Sequence, residues 1–158
     1  MRALVYDVDD VSTDVIWPGK YTYVQLDRAE MPRHAMEGFD PGFARRVAGR
    51  QALVVGRNFG CGSSREQASE CLLASGVRLV VARSFARIFY RNCLNLGLAA
   101  VECPDAVDVV REDSEVAVDL EAGALRVDGQ DFAVPPFPPF LLAILKDGGL
   151  IPHLRRRS

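Results

Sequence analysis

The sequence predicts an α/β fold: one domain over residues 1–158 with parallel or mixed central strands. Three observations carry that reading. Apolar runs of strand length stand at residues 52–55, 77–82 (interrupted by Arg78) and 98–101. Helical patterns separate them, and glycines (Gly76 and Gly97) stand where those helices should end. The chain has 158 residues, 49% apolar and 25% charged, the size and mixture of one globular domain. Strand, helix, strand, helix, strand requires crossovers, and crossovers make successive strands parallel. Runs without a polar alternate residue belong to strands covered on both faces.

The elements follow in order. Residues 4–6 read as a short strand and 7–18 as a loop containing Ser12-Thr13-Asp14 and ending at Trp17-Pro18. Residues 21–25 read as another strand, and 27–37 as a weak helix broken at Pro32. Gly38-Phe39-Asp40-Pro41-Gly42 is a turn cluster. After the strand at 52–55, Ser63 and Glu66 have the spacing of a capping box, opening a helix through Ala68, Cys71, Leu72 and Ser75. Ser84 is the expected N-cap of a helix over 85–96. Residues 115–120 and 125–127 alternate as a hairpin, with Asp128-Gly129 a further turn. Pro135-Pro136-Phe137-Pro138-Pro139 leads into a helix over 140–146, closed by Gly148-Gly149. Arg155-Arg156-Arg157 reads as a solvated tail.

Bulk properties exclude several classes. A net charge of −2 gives no footprint for nucleic acid or an anionic membrane. No stretch is long and apolar enough to span a bilayer, and the N-terminus turns acidic at Asp7, unlike a secretory signal. The expected location is the cytoplasm. The four cysteines, Cys61, Cys71, Cys93 and Cys103, include no C-x-x-C pair. Neither a disulfide framework nor a metal or iron–sulfur site within this chain is expected.

The chemistry concentrates in Gly60-Cys61-Gly62-Ser63-Ser64-Arg65-Glu66. Four readings compete. The loop is a capped strand-to-helix turn, with Ser63 as cap only. It is a phosphate loop, although it lacks the lysine of the P-loop and the third glycine of the dinucleotide fingerprint. It holds a nucleophilic Cys61, which would need a base that His34 is not known to supply. Or it holds a serine base, whose alkoxide backbone N–H groups, a helix N-terminus and Arg65 stabilise. Arg65 would then also grip a substrate carboxylate bidentately. That last reading lacks an electrophile for a leaving hydroxyl, which another polypeptide would supply.

Residues 56–68, Gly56-Arg57-Asn58-Phe59-Gly60-Cys61-Gly62-Ser63-Ser64-Arg65-Glu66-Gln67-Ala68, strongly resemble the signature of the aconitase swivel-domain family. Ser84-Phe85-Ala86-Arg87-Ile88-Phe89-Tyr90-Arg91-Asn92 resembles that family's next motif, and Ser12-Thr13-Asp14-Val15-Ile16 its N-terminal T-D-x-I element. The resemblance implies a swivelling β/β/α domain that docks on a large subunit carrying a [4Fe–4S] cluster. It implies a hydro-lyase, active only with that subunit, that removes water from a small hydroxy dicarboxylic acid and adds it back. By motif position Ser63 is the base, Asp14 assists at the leaving hydroxyl, and Ser64 and Arg65 contact substrate carboxylates.

Relatives set specificity just after the T-D-x-I element. Homoaconitase-like members place an arginine there, whereas this chain reads Tyr21-Thr22-Tyr23-Val24. Thr22 and Tyr23 are therefore the expected substrate contacts, and the expected substrate lacks a third carboxylate, since an unpaired buried one is costly. Isopropylmalate of the leucine pathway fits first. Citramalate, dimethylmalate and the homoaconitase substrate remain alternatives, as does a non-catalytic anion-binding module. Phe85, Ile88 and Phe89 read as core, Trp17 as packing or substrate contact, and Arg87, Arg91 and Asn92 as ordering the loop or meeting the partner.

Overall fold

The computed structural model describes Met1–Arg157. Strands β1 (Ala3–Tyr6), β2 (Ala52–Val55), β3 (Leu79–Ala82) and β4 (Ala99–Glu102) form one parallel sheet in the order β1-β2-β3-β4. Ala3, Ala52, Leu79 and Ala99 lie in register across it. All residues of β2 and β3 are buried, as their unbroken apolar runs require.

Side chains alternate across the sheet and so divide the core in two. Leu4, Tyr6, Leu53, Val55, Val80, Ala82 and Ala100 point to one face. There they meet α1 (Thr13–Ile16), α2 (Phe43–Arg46), α3 (Gln67–Ala74) and α4 (Arg87–Leu96). Ala3, Ala52, Val54, Leu79, Val81 and Val101 point to the other. That face is covered by α5 (Pro104–Val109) and an antiparallel sheet of β5 (Val116–Asp119), β6 (Ala124–Val127) and β7 (Gln130–Ala133). The layers thus run helices, parallel sheet, antiparallel sheet. Helices α6 (Pro139–Lys146) and α7 (Leu150–Arg157) pack against α4.

Several expectations need correction. Residues 21–25 form no strand: a 3₁₀ turn over Gly19–Tyr21 continues into turns closed by Thr22 N–H to Gly19 O and Val24 N–H to Tyr21 O. The helical pattern of 27–37 shrinks to a 3₁₀ turn, Met31–Arg33, around Pro32. The hairpin gains a third strand, β7, because Asp128 and Gly129 both take positive φ and reverse the chain again. The arginine tail is exposed, as a solvated tail should be, but is helical, ending α7, with Arg156 paired to Asp147 at 2.6 Å. Helix α5 opens with Pro104 in its first turn, a start compatible with the missing N–H.

Candidate active site

The three motif blocks follow β1, β2 and β3 and meet at the carboxyl ends of these strands, where open α/β sheets bind ligands. Backbone pairing sews them together. Gly60 N–H donates to Val11 O at 2.8 Å, and Thr13 N–H to Cys61 O at 2.7 Å. On the other side Phe59 N–H donates to Ser84 O at 3.1 Å, and Ala86 N–H to Phe59 O at 3.0 Å. Gly60 has φ +81°, and a Cβ there would overlap the Phe89 ring. A glycine is what allows the loop to lie flat on α4.

Ser63 emerges from this frame beside α1. Its N–H donates to Thr13 Oγ1 at 3.0 Å, and the two hydroxyls are 2.9 Å apart. Ser12 caps α1 by accepting Val15 N–H at 3.3 Å, which fixes Asp14 in the first turn. The Asp14 carboxylate contacts the Arg65 guanidinium as an ion pair. Beyond that charge contact, the buried Arg65 Nη1 finds no acceptor at hydrogen-bonding geometry among the described residues. Ser64 stands exposed, its carbonyl accepting from Asn92 Nδ2 at 3.3 Å. Ser63, Asn58, Arg87 and Arg91 line an open groove of about 520 Å³. A hydroxyl beside two guanidinium groups suits a small anion.

The expected capping box does not form. Helix α3 begins at Gln67 with no side-chain cap, and Ser63 Oγ is taken by Thr13 and, at 3.4 Å, by Arg65 N–H. Ser84 likewise does not cap α4, because its Oγ accepts Asn58 N–H at 2.9 Å. In both cases a tertiary partner displaced the local one.

The structure brings Ser63, Ser64, Asp14 and Arg65 together; Thr22 and Tyr23 diverge. Tyr23 is 97% exposed. Thr22 lines a separate cavity of about 210 Å³ with Trp17 and Gln67, where neither its hydroxyl nor Trp17 Nε1 has a hydrogen-bond partner among the described residues. Trp17 is 2% exposed and packs against Tyr21 at 5.6 Å between ring centres. Phe85 and Phe89 are core, as expected, while Ile88 is exposed and joins the groove. Cys61 donates to Asp10 O at 3.6 Å, whereas His34 belongs to a cluster with Glu37 and Tyr21. Thr13 is the residue sequence reasoning missed. Its signal was a β-branched hydroxyl beside Asp14 in the T-D-x-I element.

A fold of this kind, with a glycine–serine loop at its carboxyl edge, has known counterparts. Residues 17–106 match the aconitase C-terminal domain family. The 3-isopropylmalate dehydratase small subunit 1 of Methanopyrus kandleri is 46% identical, covering 99% of this chain and 92% of that protein. The 3-isopropylmalate dehydratase small subunit of Caldanaerobacter subterraneus is 44% identical over 99% and 97%. The crystal structure of 3-isopropylmalate dehydratase (LeuD) from Methanocaldococcus jannaschii superposes with a TM-score of 0.86 at 36% identity, over 99% and 92%. The chain belongs to the aconitase C-terminal domain family, among its 3-isopropylmalate dehydratase small subunits.

Proposed function

We propose that this chain supplies the base and the carboxylate clamp of a hydro-lyase that interconverts 2- and 3-isopropylmalate, working with an iron–sulfur large subunit. The observation that carries the reading is the joining of Ser63, Asp14 and Arg65 by Thr13 and α1 at one edge of a fold shared, nearly end to end, with small subunits of that name. Ser63 Oγ would take the proton from the carbon next to a carboxylate. The electrons of that C–H bond form the enoate double bond as the neighbouring hydroxyl departs. Asp14, exposed and paired with Arg65 beside the loop, would help deliver the proton with which that hydroxyl leaves as water. Arg65 would exchange Asp14 for a substrate carboxylate, which binds bidentately and stays paired. Ser64 adds a hydroxyl beside it. Thr22 and Tyr23 lie on the segment expected to face the substituent.

Among the described residues no three His, Cys, Asp or Glu side chains gather as a metal site; we assign the iron–sulfur cluster to the large subunit, as the family resemblance implies. There it would supply Lewis-acid activation of the leaving hydroxyl. The cytoplasm is the compartment we propose, because all four cysteines are free thiols, three of them buried.

The test is an anaerobic hydration and dehydration assay of this chain mixed with its large subunit, followed by enoate ultraviolet absorbance. The substrates are isopropylmalate, citramalate, dimethylmalate and homocitrate. Turnover of isopropylmalate, with Ser63→Ala lowering kcat far more than it raises KM, is the expected result. Preference for homocitrate would overturn the substrate. Silence on all four acids, with an intact cluster in the partner, would overturn the hydro-lyase reading.

A further inference from the structure

Thr13 is one of the few polar side chains that the fold buries, at 1% exposure. Its hydroxyl has two hydrogen-bond partners among the described residues, and both belong to Ser63. One is the Ser63 N–H, which donates to Thr13 Oγ1 at 3.0 Å. The other is Ser63 Oγ at 2.9 Å, where the distance alone leaves the donor open. Burial closes the question. A hydroxyl proton away from water needs an acceptor, and a serine N–H cannot be one. The Thr13 proton therefore goes to Ser63 Oγ. The Ser63 proton is then free to turn away from Thr13, and Ser63 lines the open groove.

We propose that Thr13 is a positioning residue that prepares Ser63 to act as the base, an inference that rests on the role assigned to Ser63 above. Two donors reach Ser63 Oγ from the protein side: the Thr13 hydroxyl and, more distantly, Arg65 N–H at 3.4 Å. Both favour the oxygen carrying negative charge. Thr13 also holds the Ser63 backbone, so one side chain sets both the position and the proton affinity of the serine oxygen. Thr13 is itself fixed by its N–H donating to Cys61 O at 2.7 Å, within the loop that carries Ser63. The charged groups around the serine are Asp14 on α1, Arg65 in the loop, and Arg87 and Arg91 on α4.

The test compares Thr13→Val, which keeps the shape and loses the hydroxyl, with Thr13→Ser, which keeps the hydroxyl. Both are assayed with the large subunit, with kcat and KM measured across pH. Amide hydrogen exchange at Ser63 is measured on the same proteins. Thr13→Val should lower kcat by about a hundredfold, the usual effect of removing one donor to a reacting oxyanion, with KM little changed. It should move the kcat profile to higher pH and speed exchange of the Ser63 N–H. Thr13→Ser should restore all three. A Thr13→Val enzyme with near-native kcat and an unmoved pH profile would overturn the proposal. So would a loss that Thr13→Ser fails to restore, since that marks packing by the methyl group. Faster exchange without a shift in the pH profile would reduce Thr13 to a backbone anchor and overturn its role toward the oxygen. Inactivity of the unsubstituted pair on every acid would instead fall on the hydro-lyase reading.

Discussion

Arg65 and Asp14 form an ion pair at the mouth of the glycine loop, so the expected carboxylate clamp and the expected acid hold each other. Asp14 is 59% exposed and Arg65 24%. A pair this open to solvent contributes at most about 1 kcal/mol, and a bidentate substrate carboxylate can replace it. Arg65→Lys keeps the charge and loses the planar fork. It should raise KM about tenfold or more while leaving urea stability within about 0.5 kcal/mol. Steady-state kinetics of the two-subunit enzyme and a urea titration of this chain check both halves. An unchanged KM would remove Arg65 from substrate binding.

Gly60 illustrates a site position set by packing. Its φ is +81°, and an added Cβ would run into the ring and Cβ of Phe89. Phe89 is itself locked against Phe59 with ring centres 5.3 Å apart. Gly60→Ala therefore meets both left-handed strain and overpacking, and should cost about 3 kcal/mol. Urea unfolding followed by circular dichroism measures this. Gly49 also has positive φ, but an added Cβ would meet nothing within 4 Å among the described residues, so Gly49→Ala should cost about 1 kcal/mol, from backbone strain alone.

The parallel core was legible because β2 and β3 are buried on both faces and carry no polar residue to confuse the period. Helix ends at Gly76 and Gly97 were legible because both glycines adopt positive φ. The segment between α1 and α2 was not. Its residues Tyr21–Gln25 are rich in strand-favouring aromatic and β-branched side chains, yet among the described residues no strand pairs with them, and turn hydrogen bonds take up part of their backbone. The meeting of Ser63, Asp14 and Arg65 was legible only through the motifs. The Thr13–Ser63 contact spans 50 residues, and the local pattern offered Ser63 a capping role instead.

The four thiols separate by environment. Burial pushes the Cys71, Cys93 and Cys103 thiols up, away from the reactive thiolate. Cys61 is partly exposed in the glycine loop. A native-state titration with a small disulfide reagent should modify one thiol promptly and the other three only on unfolding. Cys61→Ser should abolish the prompt phase. The same variant should keep hydro-lyase activity within about threefold, because serine is close in size and keeps a donor for Asp10 O. Loss of turnover in Cys61→Ser, with the fold intact, would revive a nucleophilic cysteine.

Glu37 fastens the segment bearing Thr22 and Tyr23. Its carboxylate accepts from Lys20 Nζ at 2.7 Å, Tyr21 Oη at 2.9 Å and His34 Nδ1 at 3.0 Å. Because a carboxylate only accepts, His34 carries its proton on Nδ1. Lys20 above all, then His34 and Tyr21, hold the Glu37 carboxyl down at about 2, from an ordinary value of 4.5, against the opposing effect of burial. A group whose folded-state value is depressed stabilises the fold fully above its unfolded value and loses that contribution as pH falls toward the folded one. The contribution should therefore be complete at neutral pH and fade between about pH 4.5 and pH 2. Lys20 is 65% exposed, so solvent screens the strongest partner. Glu37→Gln should cost roughly 1 kcal/mol at pH 7, the scale of one net hydrogen bond. Urea titrations at neutral and acidic pH should show the gap between native and Glu37→Gln proteins closing as pH falls through that window. A gap as wide near pH 3 as at pH 7 would mean that shape, rather than the ionised carboxylate, holds the segment in place.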